Sequence, residues 1–157
     1  MNNEKRSGLF KIILLTGLLA GTLDIFAAFI NAYISSGTSP AVVMQFIASG
    51  VFGRDAFAGE WMMVAWGTLF HYGIVMSWTT LFFMLYPKMS FLSKSLSANA
   101  IGYGIFVWIM MNQVVLPLSN VPRLKGDPIK MAIAIFILIV AIGWPISWMA
   151  RRYYSRL

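Results

Sequence analysis

Cysteine is absent from all 157 residues, which excludes a disulfide framework and any thiolate metal site. Charge is scarce as well. Only 11% of the residues are charged, against about 25% in a soluble domain. So few charges cannot cover a water-facing surface, and the natural solvent is lipid. Histidine occurs once, at His71. One imidazole and one acid within the apolar runs leave too few ligands for a closed tetrahedral metal site. A haem on His71 would lack both a second axial ligand and an attachment motif, so no cofactor is expected. No glycine-rich loop stands between a strand and a helix. Ser49 and Ser77 have no base at a recognisable spacing. The expectation is therefore that the protein is not an enzyme.

What is present is apolar. Hydrophobic residues make up 59% of the chain, and the net charge is +7. Nucleic acid is excluded as a partner, because the basic residues flank apolar runs and do not form one patch. They are expected to meet anionic lipid headgroups. Lys5, Arg6 and Lys11 precede an apolar run, as in a signal peptide. That run is too long for a typical signal core and contains Asp24, so a retained anchor is expected.

A helix needs about 20 apolar residues to cross the hydrocarbon core. Four stretches qualify, at about residues 11–33, 61–86, 96–116 and 129–150. The expected fold is all-α: one polytopic membrane domain of four transmembrane helices. Ser39 and Pro40 form a helix start, as N-cap and first helical residue. The apolar segment at 40–52 is too short to span, so it reads as an interfacial or re-entrant helix between the first and second spans. Val43, Phe46, Ile47 and Phe52 would point into the membrane or onto the bundle. Such a helix covers the bundle or acts as a lid over a cavity, and covering is the commoner role.

Orientation follows from the basic residues. With four spans, Lys5, Arg6, Lys11, Lys88, Lys94, Arg151, Arg152 and Arg156 share the side of the termini. Arg54, Arg123, Lys125 and Lys130 lie opposite. Eight against four puts both termini in the cytoplasm. Tyr33, Trp61 and Trp66 would mark the outer interface, and Tyr86, Trp148, Tyr153 and Tyr154 the inner one. The fourth span carries almost nothing polar before Ser147. It is therefore expected to be the most lipid-exposed, with a bend at Gly143-Trp144-Pro145.

The first span carries a stripe of Gly17, Gly21, Asp24, Ala28 and Asn31, at steps of four and three. Small residues allow close helix approach, and an acid in an apolar span must face protein or water. Gly17 and Gly21 are thus candidate packing residues. Asp24 lies thirteen positions after Lys11, about 20 Å along the helix. His71 lies sixteen positions before Pro87, about 24 Å from the same side. On antiparallel neighbours these depths nearly match, so a direct or water-mediated contact is expected. Asn112 and Gln113 on the third span lie at a similar or slightly outer depth. Asn31, and Gln45 in the short helix, lie further out. Asp24, His71, Asn112, Gln113 and Asn31 therefore make up a candidate polar intramembrane site. Such residues form a binding or proton-accepting site, or they only hold helices together.

The sequences Gly17-Leu18-Leu19-Ala20-Gly21, Tyr86-Pro87-Lys88 and Pro117-Leu118 resemble the YagU-like family of small bacterial inner-membrane proteins of unknown function. The resemblance covers roughly half of the chain. It implies a bacterial cytoplasmic membrane and no known catalytic residues. Family members are longer and carry a further histidine near the start of the last span, where this chain has Asp127, Pro128 and Lys130. The functional expectation is a small-solute or proton carrier. The rival is an accessory or interaction subunit of a membrane complex, and a membrane enzyme ranks third. Partners would be the lipid bilayer and either further copies of the chain or another membrane protein.

Overall fold

The computed structural model describes residues 3–121 and 127–156. Arg123 and Lys125, expected on the side opposite the termini, lie outside the described residues. Among the described residues there are helices and turns but no strand. Four helical stretches are long and apolar enough to cross a membrane: Gly8–Ser36, Trp61–Lys88, Leu96–Leu118 and Pro128–Tyr154. The protein is thus an all-α, multi-pass membrane protein. Its first helix, Asn3–Ser36, is 34 residues long. At 1.5 Å per residue that is about 50 Å, more than the ~30 Å hydrocarbon core, so the helix projects beyond it.

The spans form a ring. The first packs against the second and the fourth, and the third against the fourth. Side chains join the second and third spans: the Tyr103 ring lies 4.6 Å from that of Phe82, and Phe106 meets Trp78 edge-on at 5.9 Å. The core occupies the half nearer the termini, where Phe82, Phe83, Tyr86, Tyr103, Ile142 and Ile146 are buried together. Tyr103 donates its hydroxyl to Trp78 O at 2.5 Å, and Tyr154 donates to Phe83 O at 2.7 Å. Each phenol buries a ring and satisfies its polar tip on a neighbouring helix, as a dry core demands.

The fourth span is not the most exposed. In its most apolar window 28% of residues are buried, as in the first and second spans, whereas the third span has 17%. Its apolarity serves packing: Ala141, Ile142, Gly143, Pro145, Ile146, Ser147 and Ala150 are buried against the other helices. An apolar helix satisfies lipid and core equally well, so composition alone does not separate the two. The disruption expected at Gly143-Trp144-Pro145 is a wide π-helical turn over Ile139–Gly143. A matching turn, Met111–Val115, precedes Pro117 and carries the third helix through to Leu118. Proline clashes with the carbonyl four residues back, here Gln113 and Ala141. Each wide turn contains that carbonyl, so the chain absorbs the clash without ending.

The short helix is Pro40–Phe52, and its N-cap Ser39 accepts from Val42 N at 3.5 Å. It lies chiefly on the second span. Met44, Ala48 and Ser49 are its buried residues, while Val43, Phe46, Ile47 and Phe52 are half-buried. Phe52 meets Trp66 at a tilt over 5.8 Å and stacks on Phe70 at 6.1 Å. A Cβ on Gly67 would overlap the Met44 carbonyl, so glycine lets the two backbones cross here. Gly53 turns the chain with φ +61°. Asn120, just past the third span, donates from its backbone N to Gly50 O (3.0 Å) and from Nδ2 to Val51 O (3.1 Å). These bonds satisfy two carbonyls that a helix end leaves open.

Candidate functional site

The site is built on the contact between the first and second spans. Gly17 and Gly21 are both buried there. A Cβ on Gly17 would stand 2.7 Å from Met76 Sδ, and one on Gly21 would stand 3.0 Å from the Tyr72 ring. Without side chains at these two positions, the second span seats Met76 and Tyr72 directly on the first helix. The same closeness lets His71 reach a backbone oxygen. His71 is buried, and its Nε2 lies 2.9 Å from Gly21 O. A carbonyl oxygen only accepts, so Nε2 carries the hydrogen and Nδ1 is the nitrogen left to exchange protons. The imidazole also meets the Tyr72 ring edge-on at 5.3 Å. One residue further on each helix, Thr22 Oγ1 and the Tyr72 hydroxyl share a 2.9 Å hydrogen bond.

Asp24 is half-buried one helical turn beyond Gly21. His71 is the titratable side chain that interacts with it. No hydrogen bond or ion pair joins the two side chains directly, and the Asp24 carboxyl has no hydrogen-bond donor among the described residues. Of the direct or water-mediated contact expected from their matching depth, the direct hydrogen bond is not formed: the imidazole is tied to the backbone, and the acid interacts with it through space.

The other candidates are not drawn into this pair. Asn112, in the wide turn of the third span, donates from Nδ2 to Trp108 O of its own helix at 2.9 Å. Gln113 is exposed. Asn31 is half-buried two turns beyond Asp24, where its carbonyl accepts from Ser35 Oγ. Gln45 donates from Nε2 to Gly59 O at 3.3 Å, tying the short helix to the start of the second span. Among the described residues no hydrogen bond links any of these four to Asp24 or His71, so the polar layer expected from depth alone is not one network. The third span packs chiefly on the fourth and not on the first, which carries Asp24.

Sequence reasoning missed Thr22 and Tyr72. Both stand within two residues of a candidate, at Asp24 and His71. A Thr–Tyr pair on facing spans at matching depth was the available signal. Among the described residues no group of acids and histidine could hold a metal ion. In comparison with known proteins, the chain matches no family model, no curated protein and no solved structure. The fold and the site define its class alone: a multi-pass helical membrane protein with an ionisable pair inside its bundle.

Proposed function

We propose that the protein is a non-enzymatic membrane carrier in which Asp24 and His71 take up a proton or a small polar solute. One observation carries this reading. An acid within a membrane span stands beside an imidazole while no protein donor satisfies it. Such a group is costly in lipid and marks a pathway or binding site by default. His71 is oriented for the same task, with Nε2 held by Gly21 O and Nδ1 available. The well-packed half near the termini argues for a carrier that exposes its site by moving helices, against an open pore. Eight basic residues on the terminal side against four opposite support cytoplasmic termini. A bacterial cytoplasmic membrane follows from the family resemblance and is part of the proposal.

The test is proton flux into proteoliposomes loaded with a pH-sensitive dye, driven by an imposed potential. Wild type is expected to acidify the lumen, Asp24→Asn to fall to the protein-free rate, and Ser77→Ala, an exposed position away from the pair, to keep its activity. Flux that survives in Asp24→Asn would remove the acid from the site. A second reading, an accessory or interaction subunit in a complex or homo-oligomer, is favoured by the self-contained hydrogen bonds of Asn112, Thr16 and Thr79. It predicts no wild-type flux and co-purification of a membrane partner.

A further inference from the structure

On the side of the termini, the first span and the end of the fourth enclose a groove of about 450 Å³, lined by Ile12, Trp148, Met149, Arg152, Tyr153 and Arg156. Trp148, Arg152 and Arg156 recur every four residues, so they share one face of the terminal turns. The Arg152 guanidinium lies 5.4 Å from the Trp148 ring centroid, which keeps it over the groove. Among the described residues no carboxylate lines the groove, and neither Arg152 nor Arg156 forms an ion pair. The groove therefore has an apolar floor from Ile12 and Met149, an interfacial tryptophan, and two guanidiniums that pair with no described acid.

We propose that this groove binds one anionic phospholipid from the leaflet on the side of the termini. Arg152 and Arg156 take the headgroup phosphate, and an acyl chain lies along Ile12, Met149 and the Trp148 ring. Three points favour a lipid over other occupants. The groove opens at the end of a membrane span, where headgroups lie. Its two guanidiniums present planar donor forks that match phosphate oxygens. Its floor is apolar, which suits a hydrocarbon chain and not a free ion. The chain's surplus of basic residues on this side adds long-range attraction to an anionic surface.

The test uses full-length protein in mild detergent, stripped of lipid and titrated with phosphatidylglycerol, phosphatidylcholine or inorganic phosphate, with bound lipid counted by native mass spectrometry. One phosphatidylglycerol is expected to bind about tenfold more tightly than phosphatidylcholine. Arg152→Gln with Arg156→Gln should abolish that preference, whereas Arg151→Gln and Lys88→Gln should leave it unchanged. If the double glutamine variant does not fold, Arg152→Lys with Arg156→Lys keeps the charge but removes the fork, and a several-fold weaker preference is expected. Equal binding of the two lipids would overturn the proposal. So would a preference that survives the double variant, or displacement of the lipid by millimolar inorganic phosphate, which would make the site one for a free anion.

Discussion

His71 shows how one hydrogen bond assigns a chemical role. Its Nε2 donates to Gly21 O over 2.9 Å, which sets the tautomer of the neutral ring and turns Nδ1 away from that backbone. Nitrogen-15 NMR of selectively labelled protein is expected to show the neutral ring protonated at Nε2. A neutral ring protonated at Nδ1 would contradict the geometry. Asp24→Asn and His71→Gln should then be coupled in stability by about 0.5 kcal/mol, a modest value because the pair interacts through space and not through a shared bond. Additive losses would mean the two groups do not sense each other. The depth match of Asp24 and His71 was legible in the sequence, since helical rise converts residue counts into distance. The Gly21 carbonyl was not, because a backbone acceptor has no sequence signature.

At the scale of the element, glycines distinguish packing seams from lipid-facing faces. A Cβ on Gly143 would overlap the Ala100 carbonyl, and one on Gly104 would stand 2.6 Å from Ile139 Cα. Both obstacles are backbone, which cannot turn aside. The obstacle at Gly21 is the Tyr72 ring, a side chain with some freedom, and Gly73 meets nothing within 4 Å. Gly143→Ala is therefore expected to cost about 1–3 kcal/mol through overpacking. Gly21→Ala should cost less, and Gly73→Ala should be neutral or slightly stabilising because alanine favours helix. Thermal unfolding in detergent checks the order, and a Gly143→Ala variant as stable as Gly73→Ala would place the third-to-fourth seam elsewhere. The sequence marked Gly17 and Gly21 because they repeat beside an acid. It passed over Gly67 and Gly104, and it marked Gly143 only as part of a bend. What makes them critical is the partner helix, which does not appear in their own stretch.

For the whole molecule, the proposed topology of four crossings puts Lys88 and Arg152 in one compartment and Arg54 in the other. The absence of cysteine makes this testable, since single cysteines can be introduced into the full chain without background. With an impermeant thiol reagent applied outside intact cells, a cysteine at position 54 should be labelled, and one at position 88 only after lysis. Labelling at 88 from outside would invert the proposed orientation and move the Arg152–Arg156 groove to the outer leaflet.

The sequence by itself determined that the protein lives in a bilayer, how many times it crosses, where the short helix begins and how deep the lone acid and imidazole lie. These follow from solvation and helical rise, which act on a chain one residue at a time. Only the tertiary structure decided which apolar span is inside and which faces lipid. It turned the fourth span inward at Ile142 and Ile146, left the third more exposed and seated the short helix on Gly67. It also kept Asn112 and Gln113 apart from Asp24. In lipid, the hydrophobic effect does not rank one apolar face above another, so close backbone approach and hydrogen bonds between helices make the choice, and both depend on the partner helix as well.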